Sequence, residues 1–134
     1  MNSTVLADTG PLYALADTSD QYHARAAAEL KTIQRRGFSI AISYATLCEA
    51  HTLILRKLGG AYSRQWLSEV LAGAHLLNPE VADYVLAAER LERFPDQLIT
   101  LVDAVTATMS RRLGVAVWTF DRHFVAMRSV VWAK

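Results

Sequence analysis

Alternating short apolar runs and helix-patterned stretches predict an α/β fold, with a central, mainly parallel sheet flanked by helices on both faces. Val5-Leu6-Ala7 and Val115-Ala116-Val117-Trp118 are brief apolar runs that end in turn signals, as buried parallel strands do. Between them, apolar residues recur at helical spacing, as Leu47, Ile54, Leu55 and Leu58 do. The 134 residues are 52% hydrophobic and 20% charged, which suits one domain, 1–134, around a single core.

The elements follow in order. A strand over 3–7 leads through Thr9-Gly10 to a helix over 11–16, with Pro11 at its first position, where no amide hydrogen is needed. A helix over 20–36 carries alanines from Ala24 to Ala28, suited to close helix packing, and ends in the basic residues Arg35 and Arg36. A strand over 38–42 precedes Ser43, the N-cap of a helix over 44–58. Gly59-Gly60 separates it from a helix over 61–73, and a strand over 74–77 ends at the Asn78-Pro79 turn. Helices over 80–93 and 97–113 come next, the second closed by Gly114. A strand over 115–118, a helical turn over 122–126 and a strand over 130–133 complete the chain. Trp118 and Trp132 fall in strands and are expected in the core, as is Trp66.

Four acidic residues stand out because each lies at or beside the end of an apolar segment: Asp8, Glu49, Asp103 and Asp121. Asp8 closes the first strand, and Asp121 lies in the loop that leaves the strand over 115–118. Ligands bind in open parallel sheets outside the carboxyl ends of the strands, so these two are expected to share a crevice. Glu49 and Asp103 sit near the starts of helices that begin on the same side, so the topology predicts that all four converge. Two carboxylates about 4 Å apart repel by roughly 4 kcal/mol at an effective dielectric near 20. A cluster of four therefore calls for shifted pKa values or a bound cation. An all-oxygen donor set favours Mg²⁺ or Mn²⁺ over zinc, and such a site supports in-line displacement at phosphorus.

The segments Leu6-Ala7-Asp8-Thr9-Gly10-Pro11-Leu12-Tyr13-Ala14-Leu15, the helical Glu49, Leu101-Val102-Asp103-Ala104 and Val117-Trp118-Thr119-Phe120-Asp121-Arg122-His123-Phe124 together resemble a PIN domain. They are closely similar to the VapC-type toxins of bacterial toxin-antitoxin pairs. The resemblance spans essentially the full length and keeps the family's order of acidic residues. It implies an Mg²⁺-dependent endoribonuclease, with Mn²⁺ as a substitute. Asp8, Glu49, Asp103 and Asp121 would be its catalytic carboxylates, Asp8, Asp103 and Asp121 the metal ligands, and Thr119 a supporting hydroxyl. Many relatives carry Ser or Asn where this chain has Gly10, and Thr9 is the expected source of that hydroxyl. The resemblance also implies an RNA substrate, a cognate antitoxin whose inserted segment covers the crevice, and a homodimer.

Rival readings lose ground on single residues. A haloacid dehalogenase phosphatase needs a second Asp where Gly10 stands, and a response-regulator receiver needs paired acids before the first helix and a late Lys. A PIN-fold protein that binds RNA or a partner without cutting is the alternative. An anionic pocket facing a polyanion argues against it.

The formal charge is only +1, from 14 basic and 13 acidic residues, so nucleic-acid binding must rest on local patches. Arg122, beside Asp121, is the foremost RNA-contact candidate, with Arg112 after it. His23, His51, His75 and His123 lack the spacing of a metal motif. Lone Cys48 excludes an internal disulfide and is expected to be a buried helical residue. No run approaches the roughly 18 apolar residues that would span a bilayer, and the N-terminus lacks a signal pattern, which together predict a cytoplasmic protein.

Overall fold

The computed structural model describes residues 3–133. In chain order the elements are β1 (Thr4–Ala7), α1 (Thr9–Ala16), α2 (His23–Arg35), β2 (Ser39–Ser43), α3 (Tyr44–Leu58), α4 (Gly60–Gly73), β3 (His75–Leu77), α5 (Val81–Leu91), α6 (Leu101–Leu113), β4 (Ala116–Trp118) and α7 (His123–Ala126). The four strands form one sheet in the order β3-β2-β1-β4, and every pair is parallel.

Side-chain alternation along these strands divides the core in two. Val5 and Ala7 point to one face, where Leu12 of α1, Ile33 of α2, Ile54 of α3 and Trp66 of α4 pack. Leu6 points to the other, against Val105 and Met109 of α6, Ala87 of α5 and Phe124 of α7. The register keeps like with like, since Leu6 is level with Ala41 on one side and Val117 on the other. The chain runs outward through β2 and β3, then crosses back to place β4 beside β1. That reversal opens a crevice at the carboxyl ends of β1 and β4.

Several boundaries differ from expectation for local reasons. The first helix starts at Thr9, so Pro11 stands third in it. The side chains of Asp17 and Asp20 accept hydrogen bonds from the amides of Ser19 and Tyr22, and these turns delay α2 to His23. Thr100 caps α6, which leaves 97–99 outside the helix. The expected strand over 130–133 is a single bridge, Val131 to Val117, after Arg128 turns the backbone through the left-handed region at φ 61°.

Trp118 is buried as expected, and its Nε1–H donates to the buried Glu29 at 2.8 Å. Trp132 is only half-buried, edge-on to Phe38 and beneath the Arg36 guanidinium. Of the alanines from Ala24 to Ala28, Ala26 alone is fully buried. Cys48 is exposed, contrary to expectation, because the inward face of α3 is set by Thr46, Leu47, Ala50 and Ile54. No helix among the described residues is long and apolar enough to cross a membrane.

The α5–α6 pair is tied by one strong polar contact. Asp83, 1% exposed, accepts from Arg112 Nε at 2.9 Å and Nη2 at 2.8 Å, and its carboxylate also caps the Glu80 amide at 2.8 Å. The Arg112 hydrogen bonds hold the Asp83 carboxyl below the usual carboxylate range, with burial opposing them. Asp83→Ala is expected to lose about 2 kcal/mol, combining a lost helix cap with a bidentate pair weakened by the solvent exposure of its arginine. Urea unfolding checks this, and a variant as stable as the parent contradicts it.

Candidate metal centre

Each acidic side chain is placed by a separate element. Asp8 is the N-cap of α1 and the first residue beyond β1. Its amide donates to the Trp118 carbonyl at 2.9 Å, continuing the β1–β4 pairing into the crevice. Asp103 lies in the first turn of α6 within a reciprocal cap: Asp103 Oδ2 accepts from the Thr100 amide, and Thr100 Oγ1 accepts from the Asp103 amide, both at 3.1 Å. That pairing occupies one carboxylate oxygen and orients the group. Glu49 projects from α3 and accepts from the Thr9 hydroxyl at 2.5 Å. Asp121 sits in the loop after β4.

Thr119 joins two of them. Its hydroxyl donates to Asp8 Oδ2 at 2.8 Å while accepting from the Asp121 amide at 2.9 Å. Asp121 Oδ1 in turn accepts from the His123 amide at 2.9 Å. His123 Nδ1 lies 3.0 Å from the same oxygen but out of line for a hydrogen bond.

The four carboxylates and a fifth, that of Asp20, line one cavity of about 370 Å³, together with Thr9, Gly10, Tyr13 and Phe120. Ligand atoms of Asp103, Asp121 and His123 all lie within 4.8 Å of one another. Burial pushes the Asp8 carboxyl up to about 7 despite the hydrogen bond from Thr119, with the charges of Asp103 and Asp121 adding to the rise. Burial also raises Asp103, and Asp121 and Glu49 repel its anion.

These features fit a divalent cation. Asp8 Oδ1 is buried with no hydrogen-bond partner, the condition of an oxygen awaiting a ligand. The donors are carboxylate oxygens with one imidazole nitrogen beside them, a set suited to Mg²⁺ or Mn²⁺. Asp8, Asp103 and Asp121 would hold such an ion directly or through water.

The structure brings together Asp8, Glu49, Asp103 and Asp121 with both supporting threonines. Arg122 is exposed on the outer side of the same loop, lining a shallow depression with Gln97 and His123. Arg112 is not brought to the crevice: it stands in the last turn of α6, far from Asp103, with its guanidinium on Asp83. His123 was missed by spacing, because its neighbours in the cluster come from the tertiary fold. The one signal in the chain is its position two residues after Asp121, where a loop turn places both side chains together. A side chain at Gly10 would meet the Phe120 ring at ordinary contact distance, 3.9 Å.

Comparison with known proteins agrees with this architecture. No curated protein matches the chain. Among solved structures, Mycobacterium tuberculosis VapC20, a toxin that cleaves the sarcin-ricin loop, superposes with a TM-score of 0.81 at 22% identity, covering 94% of this chain and 96% of that one. VapBC2 from Rickettsia felis, bound to a DNA fragment from its promoter, gives 0.74 at 12% identity, covering 96% of each chain. DNA-bound VapBC from Salmonella typhimurium gives 0.70 at 16% identity, covering 98% and 96%. At these identities the likeness is one of fold. The PIN domain family model matches residues 5–129, nearly the whole chain, and the protein therefore belongs to the PIN domain family.

Proposed function

We propose that this protein is a divalent-metal-dependent endoribonuclease and the toxin of a toxin-antitoxin pair. The observation that carries the reading is the buried, unpartnered Oδ1 of Asp8 facing a cavity it shares with Glu49, Asp103 and Asp121. A binding-only protein gains nothing from holding such an oxygen against a polyanion. The family match and the toxin neighbours agree with the reading.

When bound, Mg²⁺ or Mn²⁺ supplies Lewis acidity toward water and toward a phosphate oxygen. Asp8, Asp103 and Asp121 would hold it. Thr119 fixes the Asp8 carboxylate and the Asp121 backbone with one hydroxyl, so the two ligands keep their spacing. Glu49, oriented by Thr9, faces the same cavity and accepts the proton of the attacking water or positions that water. Arg122, on the rim, contacts RNA phosphate. A cognate antitoxin would cover the crevice, the protein would act as a homodimer, and its place would be the cytoplasm with its RNA.

The test is cleavage of total cellular RNA by antitoxin-free protein with Mg²⁺, with Mn²⁺ and with chelator, beside Asp103→Asn. Discrete fragments that need both the metal and Asp103 are expected. Absence of cleavage under every metal, with residual antitoxin excluded by mass spectrometry, sinks the nuclease and favours a binding-only protein.

A further inference from the structure

At the amino end of β4, remote from the carboxylates, lies a second cavity of about 850 Å³. Its lining includes Arg90, Arg93, Arg111 and Arg128 and no acidic residue. These arginines come from three places: the end of α5 and the turn after it, the last turn of α6, and the turn that follows α7. Helix dipoles account for Arg90 and Arg111 singly. They do not account for four arginines lining one cavity, because Glu89 of α5 and Glu92 at its C-cap stay outside it.

Three details mark the cavity as built to receive something. Arg90 is half-buried and anchored by a hydrogen bond from Nη1 to the Met127 carbonyl at 3.2 Å. Ser129, in the wall, has a buried hydroxyl with no partner. Arg128 keeps a left-handed backbone that glycine would adopt without strain, so a side chain is retained there at a conformational cost. Burial, and then the charges of Arg111 and Arg93, lower the proton affinity of Arg90, as expected of cations gathered without a counter-ion.

We propose that this arginine-lined cavity binds backbone phosphates of the RNA substrate at a distance from the scissile bond. The inference rests on the nuclease reading for the identity of the RNA. The cleavage crevice is anionic and the chain's net charge is only +1, so affinity for a polyanion rests on local cationic groups, and this cavity adds four to the rim Arg122. The cavity is larger than one phosphate requires, and Phe94 in its wall offers a base an aromatic surface.

Binding of a labelled RNA hairpin, followed by fluorescence anisotropy in chelator across a salt series, tests this without cleavage. Arg93→Gln/Arg111→Gln/Arg128→Gln, which spares the anchored Arg90, is expected to reduce the slope of log affinity against log salt by about 2, near 0.7 per lost phosphate contact on a single strand. The corresponding triple Lys variant should retain most of the slope. With metal restored, cleavage of a dinucleotide should be unchanged in the Gln variant while cleavage of the hairpin falls. If the triple Gln variant melts below the assay temperature, each single Gln variant should still lower the slope by about 0.7. An unchanged slope overturns the proposal, as does a variant that keeps its RNA affinity but loses binding of inorganic phosphate or of an acidic peptide. Should wild-type protein bind RNA in this way yet cut none, the cavity assignment stands and the nuclease reading fails.

Discussion

Asp8→Asn is expected to slow RNA cleavage by about 10²–10³-fold, a barrier increase of roughly 3–4 kcal/mol, while making the metal-free protein more stable. Both effects arise from the same oxygen atoms. The catalytic loss follows, on the proposed function, from removing a carboxylate that Thr119 holds in the candidate metal centre. The gain in stability follows from proton linkage. The Asp8 carboxyl is pushed up to about 7 in the folded protein, chiefly by burial, whereas an unfolded carboxyl titrates near 4. The folded state therefore binds this proton more tightly, so stability rises as pH falls through about 7 and levels off below the unfolded value near 4. Above pH 7 the buried anion costs stability unless a cation neutralises it. At 1.36 kcal/mol per unit the ceiling on the effect is about 4 kcal/mol, and relaxation around the site reduces it. Asn keeps the acceptor for Thr119 without the charge, and a gain of about 1–3 kcal/mol at pH 8 raises the melting temperature by about 4–10 °C. Melting in chelator at pH 8 and pH 6 decides the matter. The parent should be the less stable at pH 8, the variant should vary less, and Mg²⁺ should restore the parent alone. A variant that melts at or below the parent at pH 8 removes the account of Asp8 as a strained anion.

Leu6→Ala should produce the largest loss of stability, about 3–4 kcal/mol. Leu6 is fully buried in the central part of the sheet, between Ala41 and Val117, and faces Val105 and Met109. Its neighbours are fixed on three sides by strands and by α6, so the cavity left behind has little means to collapse. The melting temperature should fall by about 10–15 °C. Leu6→Ile, which keeps the volume, should lose less than about 1.5 kcal/mol. Equal losses from the two substitutions would mean that backbone strain, not packing, governs this position.

The elements were legible because their periods are clean. Val5, Leu6 and Ala7 form a run apolar at every position, as a strand covered on both faces must be, and each side chain found a core. Asp8 and Asp103 were legible as candidates because a carboxylate at a strand end or in a helix's first turn has few structural explanations, and the fold places both in one cavity. Three points lay beyond the chain alone. Arg112 is held by Asp83, a partner from α5 that no local spacing announces. His123 reaches the carboxylates through a loop turn. Cys48 faces outward because the buried face of α3 is set by Thr46, Leu47, Ala50 and Ile54, and a lone Cys says little about which face it joins. The arginine-lined cavity was visible only as scattered cations at helix ends, and needed the packing of α5 on α6 to become one place.

The parallel pairing of β1 with β4 joins residues separated by more than a hundred positions, and Asp8 and Thr119 meet only through it. A ribosome making this chain therefore emits Asp8 111 residues before Thr119. Until β4 and the loop after it clear the exit tunnel, the carboxylates have no common crevice. The four carboxylates thus share a cavity only once the sheet has closed, and no shorter nascent chain possesses the candidate metal centre.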